Sequence, residues 1–350
     1  MIWLTWRQFR LQALVVLAAV AVMAVLLAIT GPGLLHDYQL SHAGFLDRVD
    51  FDQLNRNLYL AGIVAVYATP VVIGAFWGAP LIARELESGT HRLVWNQSIS
   101  RSRWLLAKAG LGGLAAMAVT GLLSLAVTWW SDPINDAIND GANSNTYLPR
   151  LFPPVFGARG VVPIGYAAFA FALGVAVGLV ARRSVVAIAI TLAAVIAVLI
   201  LTPSFIRPLL TKPIETTVTL TADNMRGMQL SGSPDNPQVM GLEAKVGGPG
   251  DWKVSDQTVN SAGQVQKVLP TWVADCGPGP FKPGSAQPAN WAETRQACFT
   301  RLATEGYRQL IHYYPAGRFW TLQWRETGFF LALALLLTGF SFWRIKRDLT

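Results

Sequence analysis

The segment Ala83–Lys108, ARELESGTHRLVWNQSISRSRWLLAK, separates two long apolar stretches, Leu58–Ile82 and Ala107–Trp130. Each stretch supplies the roughly 20 apolar residues that a helix needs to cross a bilayer core. The segment between them must therefore lie at a membrane face. Its basic residues outnumber Glu85 and Glu87, and an excess of Lys and Arg in a short loop marks the cytoplasmic side. We therefore predict that this segment is cytoplasmic.

The composition of the chain also indicates an integral membrane protein. Hydrophobic residues make up 52% of the 350 residues and charged residues only 14%, which is too apolar for an ordinary soluble domain of this length. We predict an all-α polytopic membrane protein with six transmembrane helices. The six long uncharged runs are Ala13–Thr30, Leu58–Ile82, Ala107–Trp130, Val161–Ala181, Val185–Pro203 and Thr327–Trp343.

The distribution of basic residues fixes the predicted orientation. Six spans place both termini on one side of the membrane, and clusters of Arg and Lys should then occupy alternate connections. They do so at residues 7–10, 84–108, 182–183 and 344–347, whereas residues 31–57 and 130–160 are richer in Asp. We expect a multi-pass protein of the cell membrane with both termini in the cytoplasm.

The N-terminal residues allow two interpretations. Residues 1–12 mix Trp and Phe with Arg at near-helical spacing, which predicts an amphipathic helix on the inner interface or only an aromatic belt with positive flanks. The first span itself also resembles a cleaved signal peptide, although its apolar run is longer than usual and lacks a clear small-x-small cleavage site. We favour an uncleaved span preceded by an interfacial helix.

One long polar insert, residues 204–322, interrupts the pattern between the fifth and sixth spans. Residues 214–221 are rich in β-branched residues and predict a strand, whereas residues 289–313 predict a helix. The insert is therefore predicted to be a small α+β extracytoplasmic domain. This divides the chain into residues 1–203, 204–322 and 323–350.

The two cysteines, Cys276 and Cys298, both lie in this insert. In an oxidising compartment they predict a disulfide, and the alternative is a pair of free thiols. A metal site at the cysteines is disfavoured because no His lies at ligand spacing from them. His36 and His42 lie near Asp37 and Asp47, which only weakly suggests metal binding.

The sequence contains no motif for catalysis or nucleotide binding. HExxH, GxSxG and GxxxxGK[ST] are all absent, so we predict a non-catalytic chain without a cofactor of its own, and any ATP must be bound by another polypeptide. The formal charge of +8 does not indicate nucleic acid, because much of the basic charge is explained by membrane topology.

At the level of motifs, the chain resembles the bacterial ABC transporter permeases of the type-2 exporter group. The resemblance rests on the order of WLTWRQFR (3–10), the segment from Phe76 to Trp104, residues 158–178 and residues 314–349. Its most specific part is Glu85-x-x-x-Gly89-Thr90 followed by the basic SRSRW (100–104). The insert, residues 204–322, contributes least to the resemblance to these permeases.

The resemblance implies a half-transporter that forms a homodimer in membrane lipid, each copy docked on a separate ATP-binding subunit that holds ATP and Mg²⁺. Residues 83–93, named here the coupling segment, would be the coupling helix. Charged side chains on such a helix can dock in a cleft of a soluble partner, and Gly89 allows the chain to reverse. The positive-inside rule explains the Arg residues of this segment but not its acidic residues. The predicted coupling residues are Arg84, Glu85, Glu87, Gly89, Thr90 and Arg92.

The translocation path is less distinct in the sequence. The second span contains residues that are unusual for a lipid-facing helix, and its prolines free backbone carbonyls and predict a bend. The candidate path residues are Thr69, Pro70, Gly74, Trp77 and Thr191. Helix packing explains these small and polar residues equally well, and the Gly74-xxx-Gly78 and Gly174-xxx-Gly178 pairs only weakly indicate a dimer face.

The expected function is that of the permease subunit of an ATP-driven exporter for an apolar or amphipathic small molecule, peptide or lipid. Arg325 and Glu326, at the outer end of the sixth span, are interpreted as an interfacial anchor. The alternative function is a membrane-anchored sensor or assembly scaffold whose insert binds a ligand. The sequence further predicts that Glu85→Ala would uncouple ATP hydrolysis from transport without affecting folding.

Overall fold

The fold is known from a computed structural model, which describes residues 2–41, 44–89, 100–142, 144, 146–233, 236–245, 247–277 and 290–348. Of residues 2–13, 232, 233, 236, 237 and 348 it describes the backbone. The described chain forms two compact units, Met1–Thr211 with Gly317–Thr350 and, between them in sequence, Lys212–Ala316. The first is named here the helical unit and the second the insert unit.

The helical unit consists of long helices joined by short connections. Its α-helices are α1 (Ile2–Leu40), α2 (Phe45–Phe51), α3 (Gln53–Val72), α4 (Ala79–Glu87), α5 (Arg101–Asn139), α6 (Pro153–Phe156), α7 (Val162–Ala181), α8 (Ser184–Leu201), α9 (Arg207–Leu210) and, after the insert unit, α11 (Phe319–Asp348). Two π-helical stretches, Ile73–Gly78 and Thr202–Ile206, join α3 to α4 and α8 to α9.

Six of these helical segments are long and apolar enough to cross a membrane, which confirms the predicted number of candidate spans. They are Leu14–Leu40, Gln53–Glu87, Arg101–Asn139, Val162–Ala181, Ser184–Leu210 and Ala316–Arg347. Several extend beyond the predicted limits, because a helix does not end where its apolar residues end. At the N-terminus the structure has one continuous helix, α1, where the sequence predicted an interfacial helix followed by a span.

The packed interior of the helical unit has two main parts. One joins α1, α2, α3 and α5 around Trp130 and continues to Tyr147. The other joins α4, α5 and α7 around Trp77, Trp104 and Phe171. The helix α7 is the most enclosed, because most of its side chains are buried, and its neighbours pack around it.

The insert unit is a small α+β domain, as predicted for residues 204–322, although it occupies Lys212–Ala316. Its strands are β1 (Ile214–Val218), β2 (Met225–Ser233), β3 (Asn236–Ala244), β4 (Trp252–Val259) and β5 (Arg308–Tyr314), and its helix is α10 (Trp291–Thr304). One antiparallel sheet has the order β1-β5-β4, and β2 pairs with β3 in a second. The buried Ile311 in the central strand is opposite Thr216 on one side and Asp256 on the other.

The prediction of a helix over residues 289–313 was wrong in its second half. The helix α10 ends at Thr304, and residues 308–314 form the strand β5. The change occurs at Gly306, whose φ of +77° lies in the left-handed region that glycine adopts without steric cost and that commonly ends a helix. Beyond it, Gln309 and Ile311 are buried in alternation with exposed or half-buried neighbours, as in a strand.

Candidate functional site

The coupling segment begins as the helix α4. The helix ends at Glu87, and Gly89 then has a φ of +71°, a left-handed conformation that suits the chain reversal predicted at this glycine. The side chain of Arg84 is exposed on α4. The predicted residues Thr90 and Arg92 lie outside the described residues.

Glu85 forms an ion pair inside the helical unit. Its carboxylate accepts a hydrogen bond from the ammonium group of Lys108, which lies on α5 and is only 4% exposed. The Lys108 nitrogen also lies 5.0 Å from the centre of the Trp104 ring, a cation–π arrangement. A charged side chain inside an apolar helical unit is stabilised by a partner of opposite charge. The Glu85–Lys108 ion pair therefore joins α4 to α5.

Glu87 contacts a different helix. Its Oε2 accepts two hydrogen bonds from Ser184, at 2.9 Å from the backbone N–H and at 2.7 Å from the hydroxyl. Ser184 is the first residue of α8, whose N-cap residue, Arg183, makes no side-chain capping bond. A carboxylate at a helix N-terminus satisfies an otherwise unpaired N–H group and interacts favourably with the helix dipole. Glu87 therefore caps α8 from a neighbouring helix.

These contacts change the interpretation of the coupling segment. The sequence assigned Glu85 and Glu87 to docking because the positive-inside rule does not account for acidic residues there. The structure gives each of them a partner within the chain, and Arg84 is exposed on the same helix. Docking of the coupling segment on a partner stays a prediction.

The predicted path residues are mostly packed between helices. Pro70, Gly74 and Trp77 are buried where α3 continues into the π-helix, and the bend predicted from the prolines stays a prediction. Thr191 on α8 is completely buried, and its hydroxyl has no hydrogen-bond partner among the described residues. Thr69 lines an apolar groove of about 360 Å³ formed by α1 and α3 with Leu123 of α5.

The two glycine pairs pack against each other within one chain. A Cβ atom built on Gly74 would lie 2.7 Å from the carbonyl oxygen of Ala170, and one on Gly78 would lie 2.6 Å from that of Phe171. On α7, a Cβ on Gly174 would overlap the Gly74 oxygen, and one on Gly178 would lie 2.5 Å from the Ala79 oxygen. The pairs therefore allow the second and fourth spans to approach closely, as such motifs do in membranes.

A buried charged cluster lies at the end of the helical unit opposite the coupling segment. Arg207 of α9 and Glu326 of α11 are 1% and 0% exposed, and their side chains form an ion pair at 3.0 Å. The hydroxyl of Tyr166 donates a hydrogen bond to Glu326, and the Arg207 guanidinium lies 4.1 Å from the centre of the Phe156 ring. The cluster therefore joins four helices, α6, α7, α9 and α11.

The interfacial-anchor interpretation applies to only one of the two adjacent residues of α11. Arg325 is exposed, and its guanidinium donates to the carbonyl oxygen of Leu210 at 2.9 Å and to the Thr211 hydroxyl at 3.1 Å. Glu326, by contrast, is an interior residue. The signal in the sequence was a lone Arg207 a few residues beyond an apolar span, opposite in charge to Glu326, but no spacing rule connects positions so far apart.

Arg159 and Tyr147 form a second buried polar group on the connection between α5 and α7. The Arg159 guanidinium is 1% exposed, donates to the carbonyl oxygen of Val127 at 2.6 Å and lies 5.3 Å from the Tyr59 ring centre. Burial lowers the pKa of Arg159, and burial also raises the pKa of Tyr147, whose hydroxyl donates to the Val49 carbonyl oxygen. Both groups bind backbone carbonyls, which is consistent with a structural role.

The insert unit contains the predicted disulfide. Cys276, at the end of a 3₁₀-helix (Thr271–Cys276), is bonded to Cys298 on α10, and both are buried. Their Cα atoms are 5.4 Å apart, a normal separation for a disulfide. Among the described residues no group of three or more His, Cys, Asp or Glu side chains is arranged to hold a metal ion.

Comparison with known proteins gives one match. A family model described as "ABC-2 membrane transporter related" matches residues 17–207, which is more than half of the chain and includes most or all of the first five candidate spans. Neither the curated proteins nor the solved structures contain a significant match to the chain.

Proposed function

The chain belongs to the ABC-2 membrane transporter related family and is a multi-pass transporter permease, and from this premise we propose that it is the membrane subunit of an ATP-driven exporter. A separate ABC ATP-binding subunit, carrying ATP and Mg²⁺, would dock on the coupling segment and supply the energy. Two copies of the chain would assemble with two such subunits in the membrane lipid.

The observation that carries this proposal is the attachment of the coupling segment to two other helices of the unit, α5 and α8. The coupling segment extends a buried, irregular second span, and side-chain contacts attach it to α5 through Lys108 and to α8 through Ser184. A partner that moves this segment would therefore move several spans together, because packed helices transmit displacement rather than absorb it. The exposed Arg84 offers a charge for the partner.

The proposed substrate is apolar or amphipathic. The groove between α1 and α3 is lined almost wholly by apolar side chains, among them Val16, Met23 and Val72, with the Thr69 hydroxyl already bonded to the Ala65 carbonyl oxygen. Such a lining favours hydrocarbon and offers no charged group to a polar solute. We propose export as the direction of transport because the sequence motifs of the chain resemble those of exporters.

The orientation is proposed on the positive-inside rule, with the coupling segment and both termini in the cytoplasm of the cell and the insert unit outside. The disulfide of the insert unit supports this orientation, since disulfides persist in oxidising compartments.

Purification of the tagged chain from its native membranes in mild detergent tests the proposal. We expect an ATPase subunit with a GxxxxGK[ST] motif to purify with it in stoichiometric amount, and we expect vanadate to inhibit the ATP hydrolysis of the complex. Recovery of the chain alone in several detergents, with no vanadate-sensitive hydrolysis, would contradict the proposal. Ligand binding that needs no ATPase would then favour a sensor or scaffold.

A further inference from the structure

The contact between Glu87 and Ser184 has a role beyond holding a turn in place. We propose that it is the route by which displacement of the coupling segment reaches α8, so that Ser184 is a positioning residue for energy coupling. The inference rests on the proposed function and adds to it a residue and a helix that the coupling motif does not contain.

The first step in the argument is that α8 depends on Glu87 for its N-terminus. The N–H groups of the first helical turn have no intrahelical acceptor, and Arg183 makes no side-chain cap. The Glu87 carboxylate accepts from both donors of Ser184, at 2.9 and 2.7 Å, and places a negative charge at the positive end of the helix dipole. A displacement of α4 therefore acts directly on the start of α8.

The second step is that the helices around this contact are closely packed. Ala79, Ala83 and Ala187 are fully buried together, with α4 contributing two and α8 one. Gly178 of α7 adjoins the same place, since a Cβ there would lie 2.5 Å from the Ala79 carbonyl oxygen. Small residues leave no long, flexible side chains beside the contact that could take up a displacement of Glu87.

The third step is that the far end of this helix is also fixed. The chain continues from α8 through the π-helix Thr202–Ile206 to α9, where Arg207 is paired with Glu326 of α11. The fifth span is thus attached to the coupling segment at one end and to the sixth span at the other. A shift imposed at Ser184 would reach Glu326 along a continuous helical segment.

Glu85 has a different role, although it lies only two residues away. Residues two apart on a helix point to different faces, and Glu85 accordingly bonds Lys108 on α5. The pair is enclosed, with Lys108 4% and Glu85 13% exposed, and so resembles a structural brace. The Glu87 contact is the one that joins the coupling segment to α8.

The experiment compares variants on both sides of the contact. Ser184→Pro removes both donors to Glu87 yet keeps the helix start, because proline is favoured at the first helical position and Arg183 already has the extended backbone, φ −130° and ψ 121°, that precedes proline. Ser184→Ala removes only the hydroxyl. Glu87→Ala removes the acceptor, whereas Glu87→Gln keeps an acceptor oxygen without the charge.

The readout is the movement of α8 in the complex with its co-purified ATPase. A bimane fluorophore on Ile190→Cys, a half-exposed position of α8, reports the change in environment when ATP and vanadate trap the ATPase. The cysteines Cys276 and Cys298 do not react, because they form a disulfide. We expect Ser184→Pro and Glu87→Ala each to lose most of the emission shift, and Ser184→Ala and Glu87→Gln to keep part of it.

The double variant Glu87→Ala with Ser184→Pro tests whether the Glu87–Ser184 contact transmits movement or only stabilises the structure. If the contact is the route, Glu87→Ala with Ser184→Pro should lose no more of the shift than either change alone, since both remove the same contact. A full shift in Ser184→Pro or in Glu87→Ala, in a complex that assembles, would overturn the inference. A native chain that recruits no ATPase would instead overturn the proposed function, so the two failures are distinguishable.

Discussion

At the scale of single residues, the charged side chains of the helical unit are placed by their partners. Glu85 reaches Lys108, Glu87 reaches Ser184, and Arg207 reaches Glu326. Removing one member of a buried pair leaves the other charge without compensation in a region of low polarity. Substitutions in the two buried ion pairs, Glu85–Lys108 and Arg207–Glu326, should therefore affect folding as well as transport.

Glu85→Ala is predicted to destabilise the helical unit, which corrects the expectation that folding would be unaffected. The buried Lys108 would lose its carboxylate partner, and loss of one partner from a buried ion pair costs about 3–5 kcal/mol. Thermal unfolding of the purified chain in detergent measures the loss. The double change Glu85→Ala with Lys108→Met should recover a substantial part of the stability, because it removes the uncompensated charge.

Arg103→Met is the matched control for that experiment. Arg103 is exposed on α5, five residues before Lys108, and exposed substitutions usually change stability by no more than about 0.5 kcal/mol. Equal unfolding temperatures for Glu85→Ala and the unaltered chain would contradict the assignment of a bracing role.

Glu326→Ala is predicted to be more damaging than Arg325→Ala at the adjacent position. The first change leaves the buried Arg207 charge without its carboxylate, at a cost of about 3–5 kcal/mol, whereas Arg325 is exposed and its hydrogen bonds contribute about 1 kcal/mol. The midpoint of thermal unfolding distinguishes them. Similar midpoints for the two variants would show that the cluster contributes little.

At the scale of helices and strands, close approach of backbones determines the packing of the second and fourth spans. Gly74, Gly78, Gly174 and Gly178 lie where a methyl group would collide with a neighbouring carbonyl group or backbone nitrogen. The sequence offered these pairs as a weak indication of a dimer face. The structure uses them for packing within one chain.

Gly174→Ala is predicted to destabilise the helical unit by about 1–3 kcal/mol, the usual cost of overpacking a well-packed interior. Gly339→Ala on α11 is the control, because no atom lies within 4 Å of a Cβ at that position. Thermal unfolding of both variants provides the measurement. An increase in stability for Gly174→Ala, as alanine's helix propensity alone would give, would show that the helices are less closely packed than described.

Removal of the disulfide is predicted to destabilise the insert unit. Cys276 and Cys298 are 22 residues apart, and a cross-link over a loop of this size stabilises by about 3 kcal/mol, mainly by restricting the unfolded chain. The full-length double variant Cys276→Ala with Cys298→Ala should be cleaved by trypsin within residues 212–316 faster than the unaltered chain. Treatment of the unaltered chain with dithiothreitol should reproduce that rate, and an unchanged cleavage rate in the variant would contradict the prediction.

At the scale of the whole molecule, the proposed orientation is open to a direct test. Ser88→Cys, beside α4, should react with a membrane-impermeant maleimide only after the cells are permeabilised, whereas Lys267→Cys in the insert unit should react in intact cells. Both side chains are exposed, so in a chain expressed without its ATPase subunit access depends on the side of the membrane alone. Reaction of Ser88→Cys in intact cells would reverse the topology.

The sequence by itself determined the class of the protein and the number of its spans. Apolar runs of about 20 residues and the distribution of Arg and Lys are local properties, and a bilayer constrains them so strongly that a chain can be divided into spans without tertiary information. The cysteine pair was also accessible, because two cysteines in one small insert allow a single intramolecular pairing.

Only the tertiary structure decided what the charged and small residues do. Glu85 and Lys108 are separated by 23 positions, Glu87 and Ser184 by 97, and Arg207 and Glu326 by 119, and no periodicity connects residues at such distances. Whether a carboxylate faces a partner protein or a neighbouring helix depends on how the helices pack against one another. In an apolar unit that packing places the buried Lys108 and Arg207 each beside a carboxylate, because an isolated charge there is too costly.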